Sequence, residues 1–252
     1  MWNDIKVAAA FLTRIPISHG EDVRLQRSAL FFPVIGLLIG ALGGLAYFIA
    51  ASILPPLPAA ALATLACVAI TGAFHLDGLA DICDGLVGGW NREDRLRILK
   101  DSRHGTYGVV AIVLQLLLQV SLLATLPPID GALALTVAHC VARVVPIALM
   151  LFPAAPGQAG MGASVAREVG PRDVVLTAAL ASLIALPIAG VQLLALYLLL
   201  GAAMHIFSRW VLGKIDGVVG DAFGAGEQIA ETLVLLYFAV VLSTRGQIPW
   251  ML

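Results

Sequence analysis

Three aspartates stand within eight positions of one another in "FHLDGLADICDG", residues 74–85, directly after an almost unbroken apolar run. On a continuous helix Asp77, Asp81 and Asp84 fall at i, i+4 and i+7, within about 60° of arc at 3.6 residues per turn, and so share one face. Carboxylates that close repel one another, and at bilayer depth each costs roughly 2.5–3.5 kcal/mol on insertion scales, so a cation must offset them. Hard oxygen donors without His or Cys thiolate favour Mg²⁺ or Mn²⁺ over zinc. A solvated acidic helix end is the plainer reading, but it would need neither fixed spacing nor glycines. Gly78 and Gly85 sit beside the acids, where a missing side chain lets a bulky ligand reach the backbone.

A second acidic stretch, "DGVVGDAFGAGEQIAE", carries Asp216, Asp221, Glu227 and Glu231. Glu227 and Glu231 share a helical face at i, i+4, while Gly220, Gly224 and Gly226 are expected to break regular helix between Asp221 and Glu227. Two acid clusters on helices that can pack together suit a divalent-metal site clamping a phosphoanhydride. In "RILKDSRHGTYG", Lys100, Ser102 and Arg103 precede Gly105 and Gly108. Cations, a hydroxyl and a helix N-terminus make a phosphate cradle. His139 and His205 each precede an arginine by four, Arg143 and Arg209. Arg143 lies inside an apolar segment, so it must face a partner: carboxylate, phosphate or a purely structural ion pair. For His75, His139 and His205, hydrogen-bonded packing is the expected role rather than metal ligation.

The elements that must position these groups are membrane helices. The chain has 252 residues, 60% hydrophobic and 12% charged, with a mean hydropathy of +0.96, where a soluble domain carries about 25% charge. The fold expected is all-α, a polytopic helical bundle forming a single membrane-embedded catalytic domain over residues 1–252, with residues 1–28 a cytoplasmic or interfacial segment. On a template of roughly 20 apolar residues, seven spans read out at 29–54, 57–76, 107–126, 131–152, 174–189, 191–208 and 229–243, with six to eight open because Pro187 and Gly190 could mark a kink. A helix over 3–13 is expected to lie on the membrane; it does not read as a cleaved signal.

Lys and Arg gather before the first span, at 92–103, at 167–172 and at 209–214, while the connections "PPLP", "PPID" and "AG" carry none. The positive-inside rule then puts the N-terminus and both acid clusters in the cytoplasm. A formal net charge of −1 gives no surface for nucleic acid. Cys67, Cys83 and Cys140 are isolated, which excludes a disulfide framework or zinc site. Gly36, Gly40 and Gly44 make one glycine face on the first span; close packing inside the monomer is favoured over a homo-oligomer seam.

Taken together, "FLTRIP" (11–16), "FFPVIGLLIG" (31–40), "FHLDGLADICDG" (74–85), "ILKDSRHGTYG" (98–108) and "GDAFGAGEQIAE" (220–231) resemble the cobalamin synthase, or adenosylcobinamide-GDP ribazoletransferase, family, in the right order along most of the chain. Family members usually have small residues at the positions of Ile82 and Cys83 and often an aliphatic one at His104; none of these is expected to touch a ligand. The resemblance implies a bacterial inner-membrane enzyme that joins adenosylcobinamide-GDP to α-ribazole or its 5′-phosphate and releases GMP, with magnesium as cofactor and lipid around it. It further implies Mg²⁺ held by Asp77, Asp81, Asp84, Asp221 and Glu227, phosphate contacts from Lys100, Ser102, Arg103, Arg143, Gly78 and Gly85, and acid–base work by Glu231 and Asp84, Glu231 taking the proton of an attacking ribose 5′-hydroxyl. "DICDG" is also similar to the opening D-x-x-D-G of CDP-alcohol phosphotransferases, with Glu227 and Glu231 in place of their later acid pair, although the AR dipeptide is absent. Lipid synthesis of that type is the alternative. A cation-coupled transporter is the other, disfavoured because the acids cluster at one membrane edge rather than at the midplane.

Overall fold

Proline leads four of the long helices, where its missing N–H costs nothing and its fixed φ starts the turn. The computed structural model describes residues 1–21, 23–101, 103–156 and 168–250. Ser102 and Arg167 fall outside them. In chain order the helices are α1 (Trp2–Leu12), α2 (Leu25–Ala29), α3 (Phe32–Ala51), α4 (Pro56–Thr71), α5 (Phe74–Gly88), α6 (Arg92–Ile98), α7 (Thr106–Ala124), α8 (Pro128–Ala142), α9 (Val144–Leu149), α10 (Pro171–Ala189), α11 (Gln192–Ile215) and α12 (Gly220–Arg245). The only strand-like pairing among the described residues is an isolated parallel bridge between Ala154 and Val218. The molecule is an all-α polytopic membrane bundle.

Six helical segments are long and apolar enough to cross a membrane, α8 and α9 counting as one, and the pair α4–α5 passes the same test jointly but is bent by 90°. The second span is therefore not the straight helix expected over 57–76. Gly72 (φ 64°) and Ala73 (φ 60°) both take left-handed backbone, which glycine adopts freely and alanine only under strain. That elbow turns α5 sideways across the end of the bundle. The last span also departs from expectation: α12 is unbroken from Gly220 to Arg245, so the glycines at 220, 224 and 226 do not interrupt it. α10 runs through Pro187 and ends at Gly190, giving two helices rather than one kinked hairpin.

The glycine face of α3 is used within the monomer. A Cβ on Gly40 would stand 2.6 Å from the Leu135 carbonyl oxygen, and one on Gly44 2.6 Å from that of Ala132, so α8 lies backbone to backbone on α3. Tyr47 locks this pair to the end of α7, its hydroxyl 2.9 and 2.8 Å from the Leu123 and Leu126 carbonyls. α7 turns Val109, Val110, Val113, Leu114, Leu117 and Leu118 outward, a surface suited to hydrocarbon.

Candidate active site

Pro146 lies in α9 and cannot donate to the Ala142 carbonyl, so the α8–α9 span breaks at Arg143. The break leaves the Arg143 side chain completely buried in the bundle. α5 crosses above it and packs on α7 and α12. Two glycines make that crossing close: a Cβ on Gly78 would lie 2.8 Å from the Asp221 carbonyl oxygen, and one on Gly224 3.2 Å from the His75 Cα. Gly78 thus admits the backbone of α12. Gly85 likewise faces Leu99 and the Arg95 carbonyl beside α6. Both glycines have packing roles for the same reason: on a helix lying across others, the small residues mark where its neighbours approach.

The crossing brings Asp77 and Asp81 of α5 to Asp221 in the first turn of α12, near enough for their charges to act on one another. Asp77 is exposed and Asp81 half-buried. His104 bridges them, with Nε2 3.5 Å from Asp77 Oδ1 and Nδ1 3.6 Å from Asp81 Oδ1. His104 does touch expected ligands, contrary to the reading from sequence. Among the described residues no Lys or Arg pairs with Asp77, Asp81 or Asp221. Hard oxygen donors from two helices, with no Lys or Arg paired to them, suit a divalent ion of the magnesium type by their chemistry, although the three do not bring oxygens within 4.8 Å of one another.

Asp84 belongs elsewhere. Its carboxylate is buried and accepts hydrogen bonds from the backbone N–H groups of Gly105 (2.7 Å) and Gly108 (2.9 Å) at the start of α7. An anion at a helix N-terminus is stabilised by the orphan donors and the dipole. A Cβ on Gly105 would come 2.6 Å from Asp84 Oδ1, so both glycines are there to admit the carboxylate. The expected phosphate cradle is occupied by the protein's own acid. Arg103 is also engaged, its Nη2 2.7 Å from Asp101 Oδ2, and this hydrogen-bonded pairing holds the Asp101 carboxyl down at about 2. Lys100 is exposed at the end of α6. Ser102, the remaining member of that expected set, lies outside the described residues.

Glu227 and Glu231 lie nearly two and nearly three turns further along α12 than Asp221, about 9 and 15 Å at 1.5 Å per residue. Glu227 pairs with Arg143, lies 3.4 Å from His75 Nδ1 and accepts from Gln228 Nε2 at 3.0 Å. Glu231 is 2.5 Å from His139 Nδ1, 3.5 Å from Arg143 Nη1 and accepts from Gln228 at 3.0 Å. Gln115 of α7 ties the same stretch down, reaching the Gln228 carbonyl at 2.8 Å and Thr232 Oγ1 at 2.7 Å. His139, Glu227 and Glu231 do bring donor atoms within 4.8 Å of one another, but Arg143 already contacts both carboxylates. Arg143 therefore serves carboxylate, and His75 and His139 join its network. His205, expected to pack in the same manner, is exposed on α11.

The acids expected to act as one set thus form two. Asp77, Asp81 and Asp221 meet at an open edge; Glu227 and Glu231 are neutralised below; Asp84 caps α7. The edge lies at the end of the bundle where Lys and Arg gather: the Arg14 N–H donates to the Ile70 carbonyl at the α4–α5 elbow. His104 and the buried pairing of His75 with Glu227 were missed from sequence, although His104 adjoins the first turn of α7 and Arg143 was singled out.

Residues 4–239 match the family described as cobalamin-5-phosphate synthase. The chain belongs to this family. It is 40% identical over 243 residues to an adenosylcobinamide-GDP ribazoletransferase of Bradyrhizobium diazoefficiens, covering 94% of this chain and 93% of that one. Proteins of the same name from Ralstonia nicotianae (37% over 241 residues, 91% and 92% covered) and Clostridium novyi (36% over 241 residues, 94% and 95% covered) are similar along the same length. No solved structure matches.

Proposed function

We propose that this chain is an adenosylcobinamide-GDP ribazoletransferase, joining the phosphate next to adenosylcobinamide to α-ribazole or α-ribazole 5′-phosphate with release of GMP in the last stage of cobalamin synthesis. Family membership and relatives of that name along nearly the whole chain support the reaction. The observation that carries the site is the convergence of Asp77, Asp81 and Asp221 from two helices with no Lys or Arg pairing among the described residues. These three carboxylates would hold magnesium. When bound, the ion neutralises charge that builds on the leaving GMP phosphate.

In the transfer, an oxygen of the acceptor ribose bonds to the phosphorus attached to cobinamide, the phosphoanhydride bond to GMP breaks, and GMP departs with that bond's electron pair. The acceptor's proton goes to a carboxylate. Glu231 is engaged by His139, Arg143 and Gln228, which leaves Asp77, the most exposed of the edge acids, as the acceptor within reach of substrate. A family product named for its 5-phosphate cannot have been joined through that oxygen, so a secondary ribose hydroxyl attacks rather than the 5′-hydroxyl. Lys100, exposed just past α6, would supply a cation to phosphate oxygens. By the positive-inside rule the Lys- and Arg-rich end of the bundle would face the cytoplasm of the inner membrane, with lipid covering the apolar face of α7.

Purified protein given adenosylcobinamide-GDP, α-ribazole and Mg²⁺ is expected to release GMP, and to release none when the metal is omitted. CMP release from a CDP-lipid under the same conditions, without GMP release from the corrinoid, would replace this reading by the lipid one.

A further inference from the structure

Beside the edge acids, under the interfacial helices α1 and α2, lies a cavity of ≈ 210 Å³ whose wall includes Phe11, Phe32, Phe74 and Phe223, and whose rim carries Asp77 and Asp221. Phe11 stacks on Phe32 with centroids 5.6 Å apart and planes within 10°, and Phe74 meets Phe11 edge-on at 5.2 Å. Phe223, buried on α12, contributes from a different helix. Among the described residues, the only polar side chain on the lining besides the two aspartates is His75, whose Nδ1 already faces Glu227 and Arg143.

We infer that this cavity is the seat of the acceptor's base, the dimethylated benzimidazole ring of α-ribazole, which places the attached ribose at Asp77 and Asp221. The inference rests on the ribazoletransferase reading and deepens it.

The chemistry of the lining chooses among the substrate's parts. Guanine's N1–H and N2–H could donate to a rim carboxylate, but its N3, N7 and O6 acceptors need donors, which ionised carboxylates and phenylalanine walls do not supply. The corrin macrocycle, fringed with amides, is too large and too polar for a ≈ 210 Å³ apolar space. A benzimidazole with two methyl groups is flat, apolar over most of its surface and close to aromatic walls in kind; ring faces and edges of phenylalanine are its natural partners. The geometry then agrees with the reaction. A base seated against Phe74 and Phe223 leaves its ribose one sugar ring away, at the rim where the two aspartates stand, so the attacking hydroxyl is delivered to the carboxylates that hold the metal. The elbow at Gly72–Ala73 matters here because it turns Phe74 and Asp77, three residues apart, toward the same space.

The test is substrate-resolved kinetics on the detergent-purified enzyme, with binding measured separately. Phe223→Ala and Phe74→Ala should each raise KM for α-ribazole roughly tenfold or more, the scale of a lost buried aromatic contact, with KM for adenosylcobinamide-GDP changed less than about twofold. Equilibrium dialysis of α-ribazole alone should show the same loss, and on wild-type enzyme the riboside of unmethylated benzimidazole should bind more weakly than α-ribazole. If Phe223→Ala fails to fold, Phe223→Leu and the unmethylated acceptor carry the test. A rise in KM for adenosylcobinamide-GDP instead, unchanged α-ribazole binding in both variants, or rates in both variants that follow acyl-chain composition while α-ribazole binding does not change would overturn the assignment, the last giving the cavity to lipid. A wild-type enzyme that binds α-ribazole but releases no GMP would instead sink the transferase reading and leave the cavity assignment standing.

Discussion

Asp77, Asp81 and Asp221 stand at the open end of the bundle with the His104 ring beside the first two, whereas Glu227 and Glu231, further along α12, are closed in with Arg143, His139, His75 and Gln228. The residue chemistry is the same, and α12 contributes to both sets. What differs is whether the protein brings its own positive charge. A buried carboxylate pair that faces an arginine is satisfied and becomes scaffold; carboxylates gathered without one retain free lone pairs and mutual repulsion, which a divalent ion relieves. Of the two sets, the edge acids are the one with no Lys or Arg pairing among the described residues.

The widest separation between the two sets comes from Asp81→Asn. GMP release should fall roughly 10³-fold, the scale of removing a group that stabilises transition-state charge, while the purified protein keeps its melting temperature in metal-free buffer. Wild type should gain about 2.7 kcal/mol when magnesium reaches 100 times its dissociation constant, a gain seen as a rise in melting temperature and absent from Asp81→Asn. A variant that keeps near-normal turnover would dissolve the contrast.

Glu227→Gln tests the other side. It leaves the Arg143 guanidinium buried without its closest counter-charge and should cost roughly 3–5 kcal/mol of stability, read as a lowered unfolding midpoint in detergent. The double change Arg143→Met, Glu227→Met should recover part of that loss, which a metal-binding Glu227 would not allow. A smaller effect is expected at Asp84. Asp84→Asn removes one of the acceptors that hold the start of α7 and should lower stability by about 1–2 kcal/mol with turnover kept within about tenfold, because the carboxylate faces Gly105 and Gly108 rather than the edge acids. Loss of activity as deep as in Asp81→Asn would move Asp84 back to the first set. Smallest is His104→Leu: a half-exposed pair is worth up to about 1 kcal/mol, so removing the side chain that competes for Asp77 and Asp81 should lower the half-saturating magnesium concentration by no more than about fivefold, in a titration of GMP release.

Several features of the fold could be read without coordinates because they depend on local composition. Long apolar runs place the helices, Pro56, Pro128 and Pro171 mark three starts, and the four-residue glycine spacing on α3 correctly places a close contact within the monomer. The elbow at Ala73 was not legible, since nothing in its side chain favours positive φ and distant contacts, α5 on α7 and α12 and Arg14 at Ile70, hold it there. The glycines of α12 misled for a related reason: glycine lowers helix propensity, yet at 224 it is kept because His75 leaves no room for a side chain.

By itself the sequence determined that this is a membrane helical bundle of the cobalamin-5-phosphate synthase family with acids in two stretches, because hydropathy, periodicity and motif order are properties of the chain alone. Which acid does what was decided only in three dimensions. Asp84 and Asp81 are three residues apart on one helix, but one points to the backbone donors of α7 and the other to Asp77 and His104. A carboxylate's role is set by the charges and donors that distant segments bring within a few ångströms, and no spacing along a single segment records those neighbours.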